Sequence, residues 1–162
     1  MLFALLFSWA GDLLLLFDSV SGHFFILGLL SFLIAHCCYI LVFLRKWHPT
    51  PVPYFATVTI LLIVYGSTLF YILKDGIGTL VTPVAIYVVG ILFMAVTAFR
   101  RFGSVRTTSF YLVFFGALFF IASDSLLAID KFLMPLPYTS VFVMGTYATA
   151  QYLIVRGILV EG

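Results

Sequence analysis

Six apolar runs, at 1–17, 22–44, 53–73, 79–99, 107–129 and 137–156, take up most of this chain. Each is close to the about 20 residues that a helix needs to cross a bilayer. In hydrocarbon no water is present to satisfy backbone N–H and C=O groups, so runs of this length predict helices that close their own hydrogen bonds. The breaks fall where Pro and Gly gather: HPTPVP after the second run, KDGIG after the third and MPLP after the fifth. Short connections place consecutive helices side by side and antiparallel. The expected fold is an all-α membrane bundle of about six transmembrane helices, one domain over residues 1–162. Composition agrees: 64% of residues are hydrophobic and 9% charged, where a soluble domain is nearer half apolar and a quarter charged. Eight basic residues cannot make a nucleic-acid stripe, so no nucleic-acid partner is expected. Cys37 and Cys38 are neighbours within an apolar run and are expected as free thiols. The N-terminus lacks the basic region and small-residue cleavage site of a signal peptide.

Within the fifth run stands one acid, Asp124. A charge at that depth costs roughly 2.5–3.5 kcal/mol on insertion scales, and such residues mark function more often than packing. The first run repeats the text. FSWAGDLLLLFD (Phe7–Asp18) aligns without a gap on FFIASDSLLAID (Phe119–Asp130), with Phe7/Phe119, Ala10/Ala122, Asp12/Asp124, Leu14/Leu126, Leu15/Leu127 and Asp18/Asp130 identical. The next runs continue it, with Ala35-His36 in the second and Ala150-Gln151 in the sixth. Four runs separate the copies, so the repeat is parallel, not inverted. The first and fifth helices are expected to approach each other at the core and share one site.

Arg45, Lys46, Arg100, Arg101, Arg106 and Arg156 fall on one side of the bundle, Lys74 and Lys131 on the other. The positive-inside rule then puts both termini in the cytoplasm. A multi-pass protein of a bacterial inner or plasma membrane, or of an endoplasmic-reticulum-type membrane, fits this pattern.

Further polar residues lie within the runs. Ser8 precedes Asp12 by one helical turn and Ser123 adjoins Asp124. His36 has Tyr39 one turn on; a neutral core histidine bonded to a neighbour is the plainer reading of it. Ser140, Met144, Tyr147 and Gln151 form one helical stripe, Pro83, Tyr87, Gly90, Met94 and Thr97 another, and Thr57, Leu61, Tyr65 and Thr68 a third. Hydroxyls on membrane helices are often packing contacts, and Thr57, Thr68 and Thr97 are read so. Asp18, Asp75 and Asp130 fall at loop edges, where solvation explains them. A metal needs three or four suitable ligands, and His36, Cys37 and Cys38 face apart on a helix, so no metal is expected.

SWAGD (Ser8–Asp12), GLLSFLIAHCCY (Gly28–Tyr39), Tyr87 in PVAIY, GALFFIASDSLLA (Gly116–Ala128) and TYATAQYLIVRG (Thr146–Gly157) together resemble the YhhN-like lysoplasmalogenase family over nearly the whole chain. The resemblance implies a hydrolase that cleaves the vinyl ether of lysoplasmalogens, giving a fatty aldehyde and a glycerophospho-ethanolamine or -choline. It implies Asp12 and Asp124 as the catalytic pair, with His36, Tyr87, Tyr147 and Gln151 around them; Ser8, Tyr39 and Ser123, their neighbours on the helices, are expected as further substrate-binding or orienting residues. It implies a lysophospholipid substrate within the bilayer and no cofactor. Such proteins usually carry about two more spans before the GD helix, on which Met1 opens here; a short homologue or a truncated chain both fit, and any site residue on those spans is then absent from this sequence. The chemistry suits the residues. Vinyl ethers hydrolyse by protonation at the β-carbon to an oxocarbenium ion, which water captures. That needs one carboxyl that holds its proton, which burial and a like charge favour, and one carboxylate to steady the cation. Glycosidases divide two carboxyls in the same way. Two other readings suit paired membrane acids: a small proton-coupled transporter, and a non-enzymatic membrane subunit whose acids fix packing. A closed pocket of lipid size reaching both acids favours the hydrolase.

Overall fold

The computed structural model describes residues 1–45 and 52–161. They form six α-helices: α1 (Leu2–Leu16), α2 (Gly22–Phe43), α3 (Val52–Ile77), α4 (Val81–Phe99), α5 (Thr107–Phe132) and α6 (Thr139–Leu159). A 3-10 turn, Gly78–Leu80, joins α3 to α4. The stretches Gly22–Phe43, Tyr54–Phe99 and Thr107–Phe132 are long and apolar enough to cross a membrane, and the second is folded as α3 and α4. The bundle is all-α and of the membrane type, as the runs predict. Lys46 and most of the HPTPVP break lie outside the described residues.

Helix ends follow the backbone chemistry of the breaks. Ser21 caps α2 by accepting from the His23 N–H. The third helix runs past the expected end at residue 73 because Lys74 and Asp75 are compatible with helix. It stops at Gly78, whose φ of +56° is strained for a residue with a β-carbon. Between α5 and α6, Asp130 Oδ1 accepts from the Leu136 N–H at 2.8 Å and from the Thr139 hydroxyl at 2.7 Å. Asp130 therefore shapes this turn. Asp18 pairs with Lys131 Nζ at 2.5 Å, which ties the C-terminal ends of α1 and α5 and sets the two helices parallel.

The repeat appears as two close helix pairs, α1 on α2 and α5 on α6. Small residues permit each approach. A β-carbon on Gly11 would lie 2.7 Å from the Phe32 ring, and one on Gly28 would lie 2.8 Å from Leu15. In the second pair a β-carbon on Gly116 would meet Ile154 at 2.7 Å and the Ala150 carbonyl oxygen at 3.0 Å. Hydroxyls bond to carbonyls across both seams, Ser31 to Phe7 at 2.7 Å and Ser123 to Val143 at 3.0 Å. Ala35 and Ala150, equivalent in the two copies, are both buried.

Contrary to expectation, α1 and α5 do not pack backbone against backbone. Helix α4 lies between the two pairs, packed on α2 and α5, with α3 outside it. Phe32, Tyr39, Met94, Phe120 and Ile154 form the core among them. The third stripe also needs correction. Thr57, Leu61, Tyr65 and Thr68 are exposed, and the face that turns inward is Leu62, Gly66, Leu73 and Ile77. On α6 only the C-terminal half of the stripe faces inward: Ser140 and Met144 are exposed, Tyr147 and Gln151 half-buried. The α4 stripe is inward throughout, and Thr97 bonds within its own helix to the Met94 carbonyl at 2.8 Å.

Candidate functional site

Two hydrogen-bonded arms lie inside the bundle, each ending on one of the repeated acids. The first runs between α2, α6 and α1. The fully buried Tyr39 donates its hydroxyl to Gln151 Oε1. Gln151 Nε2 in turn donates to the Tyr147 oxygen at 3.2 Å, and the Tyr147 hydroxyl stands within hydrogen-bonding reach of Asp12. The second arm joins α4 to α5: Tyr87 donates to Asp124 Oδ2 at 2.5 Å. Asp12 and Asp124 are close enough to feel each other's charge. The acids lie within electrostatic range of each other, although their helices do not pack together.

His36 sits between the arms. It is fully buried, and neither ring nitrogen has a hydrogen-bond partner. Its ring centroid is 5.3 Å from that of Tyr87 and 4.9 Å from that of Phe120. Phe120 also meets Tyr147 edge-on at 5.4 Å, and Phe32 meets Tyr147 at 6.0 Å. The plainer reading, a histidine bonded to a neighbour, does not hold among the described residues. A buried polar group left without a partner is costly and calls for an explanation, such as a water or a ligand. Ser8 is similar. Its hydroxyl is buried without a hydrogen bond of normal geometry, yet it faces the phenols of Tyr39 and Tyr147.

The structure thus brings together Ser8, Asp12, His36, Tyr39, Tyr87, Asp124, Tyr147 and Gln151. Ser123 serves elsewhere, since its proton is committed to Val143 and it ties α5 to α6. Cys37 and Cys38 are free thiols. Among the described residues no three His, Cys, Asp or Glu side chains converge.

Beside Asp124 lies a narrow apolar pocket of about 70 Å³, walled by α2, α3, α4 and α5 and by Leu15 of α1. It extends from Asp124 and Tyr87 past Leu29 and Val88 to Phe25 and Phe132, near the Asp18–Lys131 end. Asp12 is not part of its wall, so the pocket reaches one acid of the two. One pocket residue had no signal in the sequence, Ser125; its hydroxyl is 2.8 Å from that of Tyr65, a member of the α3 stripe that lines the same pocket. Ser125 follows Asp124 directly, and only the bundle shows that it turns to the pocket.

The YhhN family model matches residues 1–158. The chain belongs to the YhhN family. Its similarity to a YhhN relative, Lysoplasmalogenase TMEM86A of Bos taurus, is 31% identity over 153 residues, 93% of this chain and 61% of that protein. Similarity to the Lysoplasmalogenase of Mycobacterium tuberculosis is 32% over 158 residues, 95% of this chain and 58% of that protein. Lysoplasmalogenase TMEM86B of Homo sapiens is 30% identical over 152 residues, covering 93% and 59%. The chain thus spans about three fifths of the length of the curated relatives it matches. No solved structure matches it.

Proposed function

We propose that this YhhN chain hydrolyses the vinyl ether of lysoplasmalogens, with Asp124 and Asp12 as the general acid and base. The observation that carries the reading is the position of Asp124, hydrogen-bonded to Tyr87 and lining an apolar pocket, with a second carboxylate within electrostatic reach. The names of the relatives support the same substrate class. A single lipid chain in the pocket brings its vinyl ether beside Asp124. Tyr87 occupies Oδ2 and leaves Oδ1 to carry the proton. That proton goes to the β-carbon, the double-bond electrons form the new C–H bond, and the ether oxygen shares the resulting positive charge. Asp12, oriented by Tyr147 and Gln151, takes a proton from the water that attacks the α-carbon. The hemiacetal then collapses: the C–O bond to glycerol breaks, the glycerol oxygen takes the proton held by Asp12, the hemiacetal hydroxyl gives its proton to Asp124 as the C=O bond forms, and the aldehyde leaves with both acids restored. The unpartnered nitrogens of His36 offer one donor and one acceptor to that water or to the ether oxygen. Two carboxyls around an oxocarbenium-like transition state are the arrangement glycosidases use.

The lysophospholipid lies within the bilayer, and the basic helix ends, Arg45, Arg100, Arg106 and Arg156, face the cytoplasm with both termini. Aldehyde release is measured from a lysoplasmalogen with purified full-length chain in lipid nanodiscs. The reading requires release by the parent chain and loss of it in Asp124→Asn at unchanged melting temperature; equal rates in the two would overturn it.

A further inference from the structure

A second cavity lies behind the first. It is an open groove on the outer side of α3 and α4, of about 480 Å³, reaching from Ile63 to Lys74 along α3. Gly66, Phe70, Val88 and Leu92 line both the groove and the pocket of Asp124. The partition between bilayer and pocket is therefore a single layer of side chains. It is thinnest at Gly66, where an added β-carbon would stand 2.4 Å from Leu92 Cδ1 and 3.4 Å from Val88 Cγ1. The atoms of α4 nearest to Gly66 belong to the side chains of Leu92 and Val88, so the partition there is side chain and not backbone. Among the described residues helix α3 packs on α4, α5 and the turn that follows it, at the outer side of the bundle.

The groove has a direction. Its lining is mostly apolar, with the hydroxyls of Ser67 and Tyr71 along α3, and its charge stands at the end of α3, where Lys74 holds its ammonium 4.2 Å from the centroid of the Tyr71 ring. From Ile63 to Lys74 the helix rises about 16 Å at 1.5 Å per residue. An apolar trough of that length, ended by one cation at the edge of the membrane, matches one lipid chain with an anionic phosphate at its head. We propose that the α3–α4 groove is a binding site for a single-chain phospholipid and the side entrance through which its chain reaches Asp124. Lys74 holds the phosphate, and Leu92 with Phe70 swings aside over Gly66. The identity of the lipid as substrate rests on the hydrolase reading; the entrance itself does not.

The test locks the partition. Gly66→Cys with Leu92→Cys places thiols on facing helices, with β-carbon 66 at 3.4 Å from Leu92 Cγ, close to disulfide geometry. The bond is formed with copper-phenanthroline or a short thiol-specific linker and verified by mass. The probe is a non-cleavable 1-O-alkyl lysophosphatidylethanolamine with a diazirine near the end of its chain, in nanodiscs with the full chain. Its photoadducts are located by mass spectrometry. In reduced protein adducts are expected on pocket residues such as Leu29 and Ala128. Cross-linking should abolish these while adducts on groove residues such as Ile63 and Val89 persist, and reductant should restore them. The single-cysteine variants should not respond to oxidation. Pocket adducts at an undiminished level in verified cross-linked protein would overturn the entrance. Lys74→Ala should weaken labelling by this probe but not by a diazirine fatty alcohol of equal length, with Lys74→Arg restoring it; equal effects on both probes would overturn the phosphate assignment. Gated labelling without aldehyde release by the parent chain would retain the entrance and reject the hydrolase. Aldehyde release with ungated labelling would do the reverse.

Discussion

Asp12 and Asp124 occupy equivalent positions in the two copies of the repeat, yet their surroundings differ. Asp124 receives the Tyr87 hydroxyl and faces the apolar pocket, whereas Asp12 is half-buried at the end of the Tyr39–Gln151–Tyr147 chain. If they divide acid and base roles, Asp12→Asn and Asp124→Asn should each fold and lose on the order of 10²–10⁴ in aldehyde release, the usual worth of general acid–base catalysis. The double variant should lose little more than the worse single, since groups acting as a unit are non-additive. Tyr87→Phe removes one hydrogen bond to a carboxyl, worth about 1.5–3 kcal/mol where the acceptor is charged. It should lower kcat by about tenfold or more with little change in melting. A rate per folded molecule equal to that of the parent chain would reduce Tyr87 to a packing residue.

At the scale of the helices, glycines act in opposite senses according to what faces them. Gly116 in α5 abuts the backbone of α6, where a β-carbon would come within 3.0 Å of the Ala150 oxygen and the Ile154 nitrogen. A rigid backbone cannot yield as a side-chain end can, so Gly116→Ala should destabilise by about 1–3 kcal/mol, the cost of overpacking. Gly145 in α6 has nothing within 4 Å of its absent β-carbon. Gly145→Ala should raise stability by up to about 1 kcal/mol through helix propensity alone. Melting of the two variants in one detergent compares them directly, and a change of the same sign in both would count against this account of the α5–α6 seam.

Across the whole molecule the polar ties at the two ends of the bundle are unequal. Arg101 follows α4 and is fully buried; its Nη2 donates to Ser109 Oγ at 2.9 Å and to Glu161 Oε2 at 2.8 Å. Ser109 passes the link on to the Gly157 carbonyl at 2.6 Å, and the guanidinium lies 5.7 Å from the Phe43 ring centroid. Burial holds that guanidinium below its ordinary pKa, and the Glu161 carboxylate acts the other way. One side chain therefore binds the ends of α2, α4 and α6 to the start of α5. Removing one partner of a buried pair costs about 3–5 kcal/mol, so Arg101→Ala should melt well below the parent chain. Lys131 in the opposite pair is 37% exposed, and Lys131→Ala should cost at most about 1 kcal/mol, as exposed pairs do. Detergent melting that reverses this order would remove Arg101 from its place as a clamp.

The linear order of residues was enough for the helices, the repeat and most of the site, because bilayer length and the depth of a polar residue are properties of one helix at a time. Asp12, His36, Asp124, Tyr147 and Gln151 stand out in sequence because each interrupts an apolar run and four of them recur in matched pairs. What needed the tertiary structure was azimuth. In a membrane the outward face of a helix is as apolar as the inward one, so periodicity cannot say which is which. The α3 stripe was therefore read on the wrong face, with Tyr65 joining the site through Ser125. The gap between α1 and α5, the commitment of Ser123 to Val143 and the burial of Arg101 have the same origin: each depends on which neighbour a side chain meets, and the neighbour is supplied only by the packed bundle.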